Sequence, residues 1–99
     1  MIYTVGIWTA KAGHEDAFVV GWNALAAWTL SRFPEAHGTL LRDRSAGNRF
    51  ISFGPWPDEE TIAAWRSDPG FGERVALLRE HLDDFQPGTF DVAAQVPPA

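Results

Sequence analysis

Two tryptophans with a small polar residue nearby are the first candidates for chemistry in this sequence. Trp56 closes a segment of strand-forming residues, and Trp65 follows nine residues later on the apolar side of a short predicted helix. An indole ring offers a flat apolar wall and one N–H donor, which suits a planar, oxygen-bearing substrate. Ser52 lies four residues before Trp56 and is a second candidate donor. The alternative is that both rings only pack in the core, as aromatic residues at such positions usually do.

Charged and imidazole side chains supply the remaining candidates. Arg66 and Arg74 fall on predicted helices, where a guanidinium either stays solvated or donates to a substrate phenolate or carboxylate. The three histidines have neither metal-ligand spacing nor an HExxH pattern, so we predict no metal site. His81 is the best placed of them to act as a general base, because we expect it on the helix that covers the pocket. The alternative is a surface histidine with no role.

Several reaction classes are excluded or unsupported by the residues present. The chain has no cysteine, which excludes disulfides, thiolate metal sites and cysteine nucleophiles. The serines lie in no nucleophile elbow, and no glycine-rich phosphate loop follows a strand and opens a helix. We therefore expect the protein to bind no metal, flavin or nucleotide cofactor.

The overall composition is typical of one small globular unit. A second core would leave each half of the 99 residues below the roughly 50 residues that a stable domain needs. A net charge of −5 would repel phosphate backbones, so nucleic acid is not an expected partner. The sequence shows neither a basic leader nor a stretch of about 18 apolar residues, so we expect no membrane association and a cytoplasmic location.

Strand-forming residues and turn signals predict four strands. The predicted strands cover residues 2–9, 39–44, 49–56 and 89–96. The segment 45–48 is a turn between the second and third strands, which makes them a hairpin. Residues 97–99 are expected to be a disordered tail, so the domain should span 1–96.

Helical periodicity and capping residues predict the segments between these strands. A proline-free segment from His14 to Arg32 has an apolar stripe at helical spacing. Two further helices should begin at Asp58 and at Asp68-Pro69, because aspartate caps a first turn and proline fits its first position. We expect the last helix to carry its stripe through Leu82 and to end at the Gln-Pro-Gly sequence of 86–88.

This order of elements is the βαββαβ arrangement of the ferredoxin-like fold, an α+β architecture with a four-stranded antiparallel sheet and helices on one face. Alternation predicts one apolar sheet face, which carries Tyr3, Val5, Ile7, Ile51 and Phe53, and a second face with glycine, serine, threonine and indole. A helix over Gly6, Ser52 and Gly54 would leave a hollow beside Trp8 and Trp56. The alternation of side chains along the strands does not decide which of the two sheet faces packs against the helices. A bare apolar face of roughly 400 Å² usually marks an interface.

Several segments together resemble the antibiotic biosynthesis monooxygenase (ABM) domain family. They are 40–43 (LLRD), 49–56 (RFISFGPW), 58–60 (DEE) and 64–71 (AWRSDPGF). The resemblance covers nearly the whole chain, and its most specific part is a strand ending in tryptophan, an acidic helix start and a second tryptophan. It implies a homodimeric α/β barrel in which two sheets pack face to face. It also implies that the Phe53 face forms the dimer contact and that the Trp56 face lines a pocket.

The family that the chain resembles is chemically mixed. It includes cofactor-free oxygenases of anthrone-type polyketides, quinol monooxygenases and haem-degrading monooxygenases. Trp56 matches the tryptophan that closes the third strand in the anthrone oxygenases, whereas Ser52 stands where they have asparagine. Gly6, Trp65 and Arg74 correspond to the asparagine, tryptophan and histidine of the haem-degrading members, so two of those three residue types are absent.

The resemblance implies a cofactor-independent monooxygenase that uses dioxygen on an anthrone- or quinol-type aromatic, in polyketide antibiotic biosynthesis. The residues expected to act in catalysis are Trp56, Ser52 and His81. The residues expected to line the substrate site are Gly6, Trp8, Gly54, Trp65, Arg66 and Arg74. A non-catalytic ligand-binding or structural dimer is the alternative hypothesis, and haem degradation is the third.

Overall fold

The four strands form one antiparallel sheet with all helices on one side of it. The computed structural model describes residues 1–98. In chain order the elements are β1 (Ile2–Ala10), α1 (Glu15–Arg32), β2 (Thr39–Arg42), β3 (Arg49–Trp56), α2 (Glu59–Ser67), α3 (Pro69–Arg79) and β4 (Leu82–Asp91). The strand order is β2-β3-β1-β4, so β2 and β4 are the sheet edges. The predicted α+β, ferredoxin-like fold is confirmed.

Capping interactions determine where α2 and α3 begin. The Asp58 carboxylate accepts a hydrogen bond from the backbone N–H of Thr61 at 2.7 Å. The Asp68 carboxylate accepts one from the backbone N–H of Gly70 at 2.9 Å, and Pro69 occupies the first turn, where its missing N–H leaves no partner unsatisfied. Both predicted helix starts are therefore confirmed. Within the described residues, no helix has the length and apolar character needed to cross a membrane.

The core lies between α1, α3 and one face of the sheet. Strand pairing places Gly6 opposite Ser52 and Trp8 opposite Phe50, and residues opposite one another share a face. Phe18 of α1 and Leu78 of α3 are fully buried and belong to the same hydrophobic cluster as Trp8 and Phe50 of the sheet. We call this side the covered face; it carries Thr4, Gly6, Trp8, Ala10, Phe50, Ser52, Gly54 and Trp56.

The opposite side, the open face, also carries large apolar side chains. It carries Tyr3, Val5, Ile7, Leu41, Ile51, Phe53 and Phe90. Phe53, Leu41 and Phe90 remain 37%, 50% and 55% exposed. The sheet therefore presents rings and aliphatic groups to solvent in the single chain, while its glycines and hydroxyls lie under the helices.

The C-terminal third of the chain departs from the prediction. Helix α3 ends at Arg79, and Leu82 begins β4, which stops at Asp91 instead of extending through residue 96. The Gln-Pro-Gly sequence, expected to end a helix, lies within β4, where Pro87 pairs with Gly6. A proline is tolerated there because β4 is an edge strand with one unpaired side. The predicted tail at 97–99 is exposed up to residue 98, and Ala99 lies outside the described residues.

Candidate functional site

A cavity of about 560 Å³ separates the covered face from the helices. Its floor is formed by the sheet residues Thr4, Gly6, Trp8, Ser52, Gly54 and Trp56. Side chains of all three helices, among them Thr29, Trp65 and Val75, form its roof. The volume lies within the range of small-molecule sites, which is about 300–1,000 Å³. The hollow predicted beside the two indoles is therefore present.

Trp56 is a buried wall of this cavity, and its N–H is already used. The ring is 5% exposed at the end of β3, and its Nε1 donates to the Thr4 hydroxyl at 3.0 Å. Its ring centroid lies 4.8 Å from that of Trp65, while Phe33 meets it edge-on at 5.9 Å. The sequence predicted a free indole donor, whereas the structure shows a donor bound to a neighbouring strand.

Trp65, which packs against Trp56, has the same kind of partner. Its Nε1 donates to the Thr29 hydroxyl of α1 at 3.0 Å, and Phe71 packs against its edge at 4.6 Å. Thr29 itself is buried, with 7% of its surface exposed. The hydrogen bond links α2 to α1 at the cavity.

Trp8 and Ser52 form the third such pair, at the centre of the floor. Trp8 Nε1 donates to Ser52 Oγ at 2.9 Å, and the Trp8 ring stacks on Phe85 of β4 at 3.9 Å with an angle of 12° between the planes. Both predicted residues therefore line the cavity. Their mutual bond leaves Ser52 with its own hydroxyl proton as the group that can donate to a ligand.

The two glycines of the floor have a different role from the one predicted. A side chain at Gly6 would meet the Trp8 indole nitrogen at 2.8 Å and Ser52 Oγ at 2.9 Å, so glycine makes room for that pair. A side chain at Gly54 would collide with the carbonyl oxygen of His37, whose loop crosses directly above it. Both glycines line the cavity, but they allow close packing beneath it and provide no empty space of their own.

The cavity contains cationic side chains and, among the described residues, no carboxylate. Arg66 lies at its edge as predicted, and its guanidinium donates to the Thr89 hydroxyl at 2.9 Å. Arg79 lines it too, with its guanidinium over the Phe85 ring at 5.6 Å. Arg74 does not line it, because its guanidinium lies over Trp28 and donates to the Gly70 carbonyl at 3.1 Å. The predicted arginine pair is thus replaced by Arg66 and Arg79.

The structure places His81 away from the cavity. It lies in the turn between α3 and β4, not on a helix, and its Nδ1 is 3.0 Å from Nδ1 of His14. The expectation that His81 is on the covering helix is therefore wrong, because α3 ends two residues earlier. His37, on the loop before β2, is the histidine among the lining residues, and its backbone carbonyl lies over Gly54.

Three of the residues that sequence reasoning missed had a recognisable signal. Thr4 alternates with Gly6 and Trp8 on one strand, and Thr29 belongs to the buried stripe of α1. Arg79 continues the spacing of Phe71 and Val75, which places all three on the cavity side of α3. His37 had no such signal, because its position depends on a loop that crosses Gly54.

Two aspartates with lowered pKa lie outside this site. Hydrogen bonds from the backbone of Ser45 and from Arg49 lower the pKa of Asp43, in the turn between β2 and β3. Hydrogen bonds from the side chain and backbone of Thr61 lower the pKa of Asp58. The described residues include no cluster of three or more histidine, aspartate or glutamate side chains that could hold a metal ion.

The fold and cavity define an α+β ferredoxin-like protein with a small-molecule site between sheet and helices. No protein-family model and no curated protein sequence matches the chain. Among solved structures, it is similar to SnoaB from Streptomyces nogalater, a cofactor-independent oxygenase, at 26% identity and a TM-score of 0.85 over 97% of this chain and 96% of that one. A SnoaB variant matches at 25% identity with a TM-score of 0.86 over the same shares of both chains.

A further solved structure extends the likeness beyond SnoaB. The crystal structure of an antibiotic biosynthesis monooxygenase matches 94% of this chain and 99% of its own length, with a TM-score of 0.81 and 19% identity. The chain therefore has the antibiotic biosynthesis monooxygenase fold, as its sequence segments predicted. At these levels of identity the individual substrate of each protein does not carry over.

Proposed function

We propose that the protein is an oxygenase that needs neither metal nor flavin and acts on a planar, acidic aromatic such as an anthrone or a hydroquinone. The observation that carries the proposal is the cavity, whose walls are aromatic and whose only formally charged lining residues in the described chain are arginines. An electron-rich anion is stabilised in such surroundings, because neighbouring guanidinium groups offset its charge. The likeness to SnoaB, a cofactor-independent oxygenase, supports the same reaction class.

The chemistry proposed for an anthrone requires only a base, dioxygen and stabilisation of the anion. The methylene carbon loses a proton, and the resulting carbanion reduces dioxygen directly. One oxygen atom replaces the two hydrogens of that carbon as a carbonyl, and the other leaves as water. The roles proposed for the chain are to hold the ring against the aromatic wall that Trp56 and Trp65 form together and to stabilise the negative oxygen through Ser52 and the arginines.

His37 is the proton acceptor that we propose in place of His81. No carboxylate is among the cavity-lining residues of the described chain, so His37 is the lining residue that we propose as the general base. His37 lies on an exposed loop at the cavity edge, from which a proton can pass to solvent. Replacing His37 by glutamine should slow turnover without changing the affinity for the substrate.

We also propose that two copies associate through the open face. Seven residues with large apolar side chains share that face, and three of them are more than a third exposed in the single chain. Contiguous apolar patches of this kind usually mark a protein interface. Face-to-face packing of two sheets would place the cavities on the outer sides of the dimer, each complete within its own chain.

The test of the proposed activity is oxygen consumption with an anthrone and with a quinol in chelator-treated buffer. We expect uptake faster than autoxidation in buffer alone. Ala26→Phe places a ring in the cavity from α1 and should abolish the enzymatic rate, whereas Ala27→Phe, on the exposed side of the same helix, should not. Uptake equal to the buffer control, or full activity in Ala26→Phe, would contradict the proposal.

A ligand-binding protein without turnover is the second candidate. It is favoured by one observation: three of the four indole N–H groups at the cavity, those of Trp8, Trp56 and Trp65, are bound to protein hydroxyls, so these three are not free to stabilise an anion directly. Tight binding of an anthrone without oxygen uptake would support this candidate. Haem degradation has less support, because Arg74, at the position of the histidine in the haem-degrading proteins that the chain resembles, does not line the cavity.

A further inference from the structure

Three tryptophans at the cavity make the same contact. Trp8 donates to Ser52, Trp56 to Thr4 and Trp65 to Thr29, with nitrogen–oxygen distances of 2.9, 3.0 and 3.0 Å. All six residues line the cavity. The pairs come from different elements: Trp8–Ser52 joins β1 to β3, Trp56–Thr4 joins the same two strands further along, and Trp65–Thr29 joins α2 to α1.

Each pair leaves the proton and one lone pair of the hydroxyl unused. A hydroxyl has one proton to donate and two lone pairs, and the indole N–H occupies a lone pair. Among the described residues, none of the three hydroxyls donates a hydrogen bond in return. A hydroxyl that accepts from an N–H is also polarised, which strengthens its own donation. The cavity therefore has three oriented donors with no acceptor from the chain.

We infer that the hydroxyls of Thr4, Ser52 and Thr29 are the groups that recognise the ligand, and that Trp8, Trp56 and Trp65 are positioning residues that orient them. The ligand class that fits is a planar ring system with oxygen acceptors at more than one position, such as carbonyl or phenolate oxygens. The inference rests on the proposed function for the choice of a planar aromatic ligand. It adds which hydroxyl groups of the protein donate hydrogen bonds to the oxygen atoms of that ligand.

The geometry agrees with an acceptor at more than one edge of the ring. Thr4 pairs with Gly54, and Ser52 pairs with Gly6. The side chains of Thr4 and Ser52 are therefore diagonal neighbours on the cavity floor. Such neighbours lie about 7–8 Å apart, which allows donation to two different oxygens of one ring system. Thr29 donates from the roof, on the other side of the cavity.

The experiment compares binding of two probes, anthraquinone sulfonate and anthracene sulfonate, by calorimetry. They share the ring skeleton and the charge and differ in two carbonyl oxygens. One neutral hydrogen bond changes affinity by about fivefold, so we expect the protein to prefer the quinone by at least that factor. The ratio of the two dissociation constants is the readout, because a purely structural change would affect both probes alike.

Two variants isolate the hydroxyl of Thr4 from its tryptophan. Trp56→Phe removes the indole N–H and keeps the hydroxyl, and Trp56→Phe/Thr4→Val removes both without leaving an unpaired indole N–H. We expect the single variant to lose part of the preference for the quinone, because the hydroxyl is no longer oriented, and the double variant to lose about a further fivefold. Trp56→Phe/Thr4→Ser restores a hydroxyl and should restore the ratio. Far-ultraviolet circular dichroism and thermal unfolding check that each variant folds.

The outcomes separate this inference from the proposed activity. Equal ratios in Trp56→Phe and the double variant would show that the hydroxyl does not contact the ligand. Complete loss of the preference in Trp56→Phe alone would show that the indole is the donor. Either result overturns the inference, as does failure of both probes to bind. A preference that depends on Thr4, found in a protein that consumes no oxygen with any anthrone or quinol, would support the inference and contradict the oxygenase proposal.

Discussion

The two faces of the sheet differ in a way that runs against simple hydrophobic burial. The open face carries Val5, Ile7 and Phe53, whereas the covered face at the same level carries Gly6 and Ser52. A core built for stability alone would have these sets exchanged, because aliphatic side chains gain most from burial. This difference agrees with the two proposals above, a ligand under the helices and a second copy against the open face.

The largest expected effect comes from placing a charge on the open face. Phe53→Glu should give a monomer or insoluble protein, because an unpaired charge buried in the proposed dimer costs about 3–5 kcal/mol. Sedimentation equilibrium measures the mass before and after the substitution.

Val20→Glu provides the matched control for this prediction. Val20 is 70% exposed on α1, on the helical side of the molecule, and it should tolerate the same charge without a change in mass. A wild-type monomer at micromolar concentration, or a Phe53→Glu dimer of undiminished affinity, would contradict an interface at the open face.

The next effect concerns close packing on the covered face. Gly54→Ala forces the new methyl group into the His37 carbonyl and should destabilise the protein by about 1–3 kcal/mol, because backbone cannot move aside as a flexible side chain can. Gly72→Ala is the matched control, since nothing lies within 4 Å of its added methyl group. That change should stabilise α3 by roughly 0.5–1 kcal/mol. Urea unfolding of both variants measures the difference, and equal stability would disprove the contact at Gly54.

Most of the fold was predictable because its signals are local. Alternation along β1 and β3 and the aspartates that cap α2 and α3 act within a few residues of where they stand. The end of α3 was not predictable from local signals, because a proline followed by a glycine, here Pro87 and Gly88, normally terminates a helix or strand. Only the position of β4 at the sheet edge makes a proline acceptable, and that position depends on contacts with a strand about 80 residues away.

The candidate site was predictable as a set of residues but not as a set of bonds. Trp56, Trp65 and Ser52 line the cavity as expected. Their hydrogen-bond partners depend on strand register and on how α1 and α2 pack, which no local pattern reveals. Arg74 was predicted to contact the substrate, whereas the helix spacing that begins at Phe71 points to Arg79.

The two arginines at the cavity edge allow a smaller test of the covered face. Arg79→Met should weaken binding of anthraquinone sulfonate by about twofold to fivefold, because an exposed guanidinium contributes at most about 1 kcal/mol to an ion pair. Added salt should reduce the affinity of the wild-type protein for anthraquinone sulfonate and so reduce the difference in affinity between wild type and Arg79→Met. Arg74→Met is the control, since Arg74 lies over Trp28 outside the cavity. Equal losses in both variants would indicate a general charge effect instead of a local contact.

The smallest effect concerns Asp58, which caps the helix that carries Trp65 over the covered face. Hydrogen bonds from Thr61 lower the pKa of this carboxyl in the folded protein. Its contribution to stability is therefore complete above the unfolded pKa of about 3.9 and is lost as the pH falls through the lower folded value. Asp58→Ala should lower the melting temperature at neutral pH, and the gap from wild type should close in acid. Asp58→Asn keeps a capping oxygen without an ionisable group, so it should retain most of the neutral stability. A gap between Asp58→Ala and wild type that stays constant from pH 7 to strongly acidic buffer would show that the charged cap does not hold α2 in place.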